Sequence, residues 1–146
     1  MSDFSIAHKG IDVPAFRASL EDVSSGACVL FEGWVRNHND GRGVLRLGYE
    51  VYEPLALKEG EIILQEALSK FEITRARAIH RAGELALSEP AVVVGVTSSH
   101  RDAAFRACRY IIDEIKERLP IWKKEYYADG STEWVNCQHS TQSPGT

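Results

Sequence analysis

The chain lacks any apolar run approaching the ~20 residues that span a bilayer. Its N-terminal stretch, "MSDFSIAHKGIDVPAF", has neither a basic leader before an apolar segment nor an Arg/Ser-rich transit pattern. No membrane role or export is signalled, and a cytoplasmic location is expected. Cysteine is scarce. Cys28, Cys108 and Cys137 are odd in number, widely spaced and without a C-x-x-C pair, which argues against a disulfide framework and a zinc ribbon. Cys28 and Cys108 lie among apolar residues and are expected in the core, because free cysteine packs as a small hydrophobe. Positive charge is not in excess either. A formal charge of −4 argues against a general nucleic-acid binder, which needs a basic face to release counterions from phosphates. No Walker sequence, H-E-x-x-H or G-x-S-x-G occurs, and "GRGVLRLG" is not a G-x-G-x-x-G match. His38, His80, His100 and His139 show no metal-ligand spacing, so no metal site is expected.

What is present is an ordinary globular composition, 44% hydrophobic and 26% charged over 146 residues, which fits one domain. Residues 1–137 are expected to form it, with 138–146 a mobile tail of little apolar content. "DVPAFRASLEDVSS" reads as a short helix with Pro14 in its first turn. "GACVLFEGWVR" and "VLRLGYEVY" read as strands forming a hairpin around "NHNDGRG", with Leu45, Leu47, Tyr49 and Val51 on one face. A helix follows from Pro54, placing Leu57, Leu64, Ala67, Leu68 and Phe71 on one face, with Gly60 a weak spot. "ITRARAIHRAG" alternates as a strand, and the continuous apolar "PAVVVGVTSS" suits a central strand covered on both faces. Ser99 to Asp102 matches the [ST]-x-x-[DE] capping pattern, so a helix is expected from about Arg101. Pro120 ends it, and "IWKKEYY", "ADGS" and "TEWVNC" read as strand, turn and strand. Mixed strands and helices make the fold class α/β or α+β, with a mixed or antiparallel sheet and packed helices.

The cations are the candidates for chemistry. Phe105, Cys108, Ile112 and Lys116 form one helical row, so Lys116 prolongs an apolar stripe. It could equally lay its methylenes on the core edge and extend its ammonium into water. In "IWKKEYY", Ile121, Lys123 and Glu125 face one way and Trp122, Lys124 and Tyr126 the other. A Lys-Glu surface pair is the simple reading there, for Lys124 above all. His100 and Arg101 stand at a helix N-terminus, where free amides and an arginine fork favour a phosphate; two exposed polar residues around a cap would look the same. Arg36, at the end of a strand before Asn37, His38 and Asn39, offers another cation, or only a polar loop.

Taken in order, "GACVLFEGWVRNHNDGRGVLRLGYEVY", "AIHRAGEL", "VVVGVTSSHRDAAFRACRYIIDEIKERLPIWKKE" and "DGSTEWV" closely resemble the large, catalytic subunit of molybdopterin synthase, the MoaE family. The likeness runs from about Gly26 to Trp134, with several motifs in fixed order. It implies an α/β fold of the α/β-hammerhead type, a homodimer within a heterotetramer, and a small ubiquitin-like sulfur-carrier subunit as partner. The carrier's C-terminal Gly-Gly thiocarboxylate would deliver two sulfurs in succession to cyclic pyranopterin monophosphate, giving the molybdopterin dithiolene. By the same resemblance Lys116 and Lys123 are the catalytic residues. Trp34, Val35, Arg36, His100, Arg101, Lys123, Lys124 and Glu125 would bind or flank the substrate. No metal or organic cofactor is implied. In some relatives a tail arginine is thought to reach the neighbouring protomer's pocket, whereas this chain has Asn136, Cys137, Gln138 and His139 there.

A thiocarboxylate and a phosphorylated pterin are both anionic, so a receiving site needs several cations and hydrogen-bond donors close together. The competing expectation is a non-catalytic module that binds a ubiquitin-like tail or phosphorylated ligand without turnover. A single-strand nucleic-acid binder using Trp34 and Trp122 is disfavoured by the acidic total charge.

Overall fold

A computed structural model describes residues 3–136 of the chain. The expected tail and Cys137 lie outside the described residues. The described chain forms two sheets and three helices. The first sheet contains β1 (Phe4–Ala7), β5 (Arg75–Arg81), β7 (Pro90–Ser98) and β2 (Ala27–Trp34), in that order across the sheet. β7 is central and buried from residue 91 to 98, as its unbroken apolar run requires. Helices α2 (Glu53–Lys70) and α3 (Arg101–Arg118) cover one face. Their Ala56, Ile63, Leu64, Ala107, Cys108 and Ile111 share a core with Ala76, Ala78, Val92, Val94 and Val96 of the strands. The short helix α1 (Val13–Ala18), capped by Asp12 through the Ala15 amide, lies across the other face. There Gly95 allows Leu20, Leu30 and Phe16 to come closer than a side chain would permit.

The second sheet contains β3 (His38–Asn39), β4 (Arg42–Val51), β8 (Ile121–Tyr127) and β9 (Thr132–Asn136), with β6 (Gly83–Ala86) paired to β4. A smaller core of Val35, Val44, Leu47, Leu85, Ala91 and Tyr127 lies against it. Tyr49 packs against both cores and so marks the seam between them.

Several expectations are corrected. β2 and β4 do not pair as a hairpin: β2 pairs with β7, whereas β4 pairs with β6 and β8. The cause is Asp40-Gly41, whose positive φ values of 50° and 77° make a tight turn that closes β3 on β4 at Asn39 and Arg42. Leu45 is 59% exposed because a bulge between Val44 and Arg46 turns it away from the face shared by Leu47 and Tyr49. The capping residue of α3 is His100, not Ser99, and no side chain caps this end; Ser98 Oγ instead donates to the His100 carbonyl. Cys108 is buried but Cys28 is exposed. Cys28 stands on the edge strand β2, on a face that six-residue α1 only partly covers, beside a cleft of about 310 Å³ shared with Leu20 and Asp22.

The buried face of α2 is Ala56, Gly60, Ile63, Leu64 and Ala67, while Leu57 is exposed. Gly60 is the point of closest approach rather than a weak spot, since a Cβ there would lie 2.3 Å from the Phe4 ring. Phe4 belongs to β1, a four-residue strand with too few residues to show a period. Gly60→Ala is therefore expected to cost about 1–3 kcal/mol despite alanine's higher helix propensity, because the core must shift to admit a methyl. Urea denaturation checks this, and an unchanged midpoint would contradict the packing.

Candidate functional site

The strand β8 fixes the centre of the site. Its alternation buries Ile121, Glu125 and Tyr127, turns half-buried Lys123 to the same side, and sends Trp122, Lys124 and Tyr126 outward. Glu125 is only 3% exposed, so its charge needs partners. Asn39 Nδ2 donates to both carboxylate oxygens at 3.0 Å, and the Tyr127 hydroxyl donates at 2.7 Å. Burial and that bond push the Tyr127 hydroxyl up to about 12, which keeps it a donor. Lys123 Nζ lies 3.8 Å from Glu125. On the far side of Asn39, Arg36 Nη2 donates to Asn39 Oδ1 at 3.4 Å. One asparagine thus ties the arginine after β2 to the carboxylate that holds a β8 lysine. Asn39→Ala should cost about 1–3 kcal/mol, because Glu125 stays buried with two donors removed. Equilibrium unfolding reads the loss, and wild-type stability would sink the network.

Lys116 stands in the last turn of α3. It is exposed, as expected of a lysine at the core edge that extends its ammonium into water. The row it shares with Phe105, Cys108 and Ile112 runs along the border of the helix: Cys108 and Ile112 are buried, whereas Phe105 is 59% exposed. Beneath this end of α3 lies His80, buried, with Nδ1 2.7 Å from the Arg81 carbonyl. Its ring meets Tyr49 edge-on at 5.0 Å and 85°. Burial above all, with the positive charges of Lys116 and Arg81, pushes His80 down to about 4, so it is neutral at neutral pH. Tyr49 is the cross-strand partner of Lys123. Lys116 and Lys123 therefore approach the same pair, half-buried Tyr49 and buried His80, from a helix and a strand.

The remaining expected residues are placed elsewhere. Lys124 lies over the rings of Tyr126 and Trp134, at 5.1 and 5.6 Å, on the outer face of the second sheet. The lysine-glutamate pair is made by Lys123, with a buried partner, and not by Lys124 at the surface. Trp34 is 62% exposed and donates to Glu32 at 2.9 Å. Val35 is buried in the second core, its backbone groups bonded to Ser88 and Glu89. His100 and Arg101 are exposed at the start of α3. Arg101 and Lys116 are separated by fifteen helical residues, roughly 22 Å at 1.5 Å per residue. One chain does not bring them into one pocket.

Asn39, Tyr49, His80 and Tyr127 escaped the reading of the sequence as site residues. His80 had a usable signal, being the single polar member of the buried alternation Ala76, Ala78, His80. Asn39 had none beyond its place in a polar loop.

Fold and site together define a mixed α/β protein with a cationic end, where Lys123 and, through Asn39, Arg36 are tied to a buried carboxylate and Lys116 stands near the neighbouring His80. Residues 6–118 match the family model described as MoaE protein. The chain is 47% identical over 110 residues to the molybdopterin synthase catalytic subunit of Thermoplasma volcanium, covering 75% of this chain and 80% of the relative. It is 38% identical over 144 residues to that of a Nostoc species, covering 96% and 87%. The crystal structure of molybdopterin synthase from Staphylococcus aureus superposes with a TM-score of 0.87 at 38% identity, covering 93% of this chain and 98% of that one. The chain belongs to the MoaE family.

Proposed function

We propose that this protein is the catalytic subunit of a molybdopterin synthase, a sulfurtransferase acting on cyclic pyranopterin monophosphate. The observation that supports the site is that Arg36 and Lys123 meet at the Asn39-Glu125 bond, while Lys123, across from Tyr49, and Lys116, near His80, flank the Tyr49-His80 pair. A small ubiquitin-like carrier is the partner, and its C-terminal thiocarboxylate enters between the lysines. In each transfer the carrier's C–S bond breaks and sulfur bonds to a pterin carbon in place of oxygen: one transfer breaks the C–O bond to the cyclic phosphate, which opens and stays on the product as a monoester, and the other expels the carbonyl oxygen as water, while water supplies the oxygen that returns the carrier to a carboxylate. Lys116 lies nearest the reacting carbonyl, as acid/base or as transient acyl acceptor. Lys123 stabilises the developing negative charge, and Glu125 holds it in place.

His100 and Arg101 bind the phosphate at the N-terminus of α3. Their distance from Lys116 in one chain assigns them to the site of a second copy, which a two-fold homodimer supplies reciprocally. Each half of the heterotetramer then works with one carrier. Lys124, Trp34 and Val35 flank the pocket at most through neighbours. No helix among the described residues is long and apolar enough to cross a membrane, and the reading places the enzyme in the cytosol. The test is the fate of charged carrier: mass spectrometry should show its thiocarboxylate becoming a carboxylate only when precursor and this protein are both present. Binding without that change would favour a non-catalytic module.

A further inference from the structure

His80 is buried, titratable and unused by the reaction as described. Its Nδ1 faces the Arg81 carbonyl at 2.7 Å. A carbonyl only accepts, so Nδ1 carries the proton and the bond fixes the rotation of the ring. The ring then meets Tyr49 edge-to-face at 5.0 Å. Such pairs have a preferred geometry, so the imidazole limits where the phenol can lie. Tyr49 stands opposite Lys123 in the β4–β8 pair, which sets their Cβ atoms about 5 Å apart on one face.

The register supplies the other half. His80 is the cross-strand partner of Val92, near the start of β7. α3 follows β7 and packs back along it, with Cys108 Sγ 4.0 Å from the Val94 carbonyl. The C-terminal half of α3 therefore covers His80. The groups that face the imidazole are Tyr49 from β4, Arg81 from its own strand and Lys116 from α3.

We propose that His80 is a positioning residue for sulfur transfer: its ring, locked by the Arg81 carbonyl, holds Tyr49 as an uncharged floor that sets Lys116 and Lys123 relative to one another. This rests on the sulfur-transfer reading of the site. A third positive charge, under the two lysines, would drive them apart, and burial keeps the imidazole neutral instead. His80 touches no substrate; it acts through Tyr49.

Two substitutions separate the ring from the hydrogen bond. His80→Asn keeps a donor for the Arg81 carbonyl and removes the ring; His80→Phe keeps a ring against Tyr49 and removes the donor. In the complex with charged carrier and precursor, His80→Asn should lower kcat by about 10- to 100-fold, as expected of misaligned catalytic groups, with KM and carrier Kd unchanged. His80→Phe, whose ring no bond locks, should lose less than His80→Asn, about 3- to 10-fold in kcat, and a loss as large as that of His80→Asn would mean that the ring itself contributes nothing. Wild-type kcat for a folded His80→Asn, or an equal loss of carrier binding, overturns the proposal.

A readout independent of turnover accompanies these. Amine-reactive labelling of Lys116 at one fixed pH, followed by mass spectrometry, should proceed at a rate changed by about twofold or more in His80→Asn, because the ordered ring pair beside the lysine is lost. Lys70, over the Tyr110 ring at the C-terminal end of α2, should be unchanged. An unchanged Lys116 labelling rate overturns the proposal even if His80→Phe fails to fold. Absence of product from the wild-type protein would instead defeat the sulfur-transfer reading, leaving the labelling result to judge His80 alone.

Discussion

Lys116→Ala is expected to lower kcat by about 10²- to 10⁴-fold, the range associated with loss of a positioned acid/base group. Fold and carrier affinity should stay intact. The structure explains why these effects separate. Lys116 is exposed at the border of α3, whereas Ile111, Ile112 and Ile115 carry the packing of that helix end. Removing an exposed ammonium from the last turn forfeits a favourable interaction with the helix dipole, roughly 0.3–1 kcal/mol, too little to unfold a domain. The carrier's tail would still meet Lys123 and Arg36, which the Asn39-Glu125 network holds without help from α3. Single-turnover assays with charged carrier, alongside a binding isotherm, check both halves. Near-normal turnover would remove Lys116 from the chemistry, and a parallel fall in binding would make it a docking residue.

Mixing two inactive variants is expected to restore activity. Arg101 and Lys116 sit at opposite ends of one helix, so in the proposed site Lys116 comes from one copy and His100-Arg101 from another. In a two-fold dimer, Lys116→Ala paired with Arg101→Ala leaves one site doubly impaired and the other intact. Random subunit exchange should then recover about a quarter of wild-type turnover, since half the dimers are mixed and half their sites are whole. Each variant alone should be nearly inactive. No recovery after demonstrated exchange would mean that both residues serve the same site by some other route, or that Arg101 does not bind substrate.

The legible parts of this molecule were those whose signal is local. The apolar run of β7, the alternation of β8 and the end of α3 at Pro120 all follow from period and punctuation, and the structure has them where expected. The pairing of β2 was not local. It turned on the two-residue turn at Asp40-Gly41, which gave β4 a nearer partner and released β2 to β7. Gly60 reads as a helix-weakening residue until Phe4, far away in the chain, is placed against it. The site shows the same division. Arg36, Lys123 and Glu125 share one end of the molecule. The asparagine and tyrosines that hold them are visible only through contacts between strands. The distance between Arg101 and Lys116 was present in the sequence all along, as helix length. Under the proposed function it makes the pocket one shared between two copies.

The most direct measurement is reconstitution: the purified protein incubated with thiocarboxylated cognate carrier and cyclic pyranopterin monophosphate, with the pterin followed by mass spectrometry and by its dithiolene derivative. The account predicts dithiolene product, two carriers discharged for each pterin, and loss of both with Lys116→Ala. Carrier that binds yet keeps its sulfur, with the pterin unchanged, would contradict it.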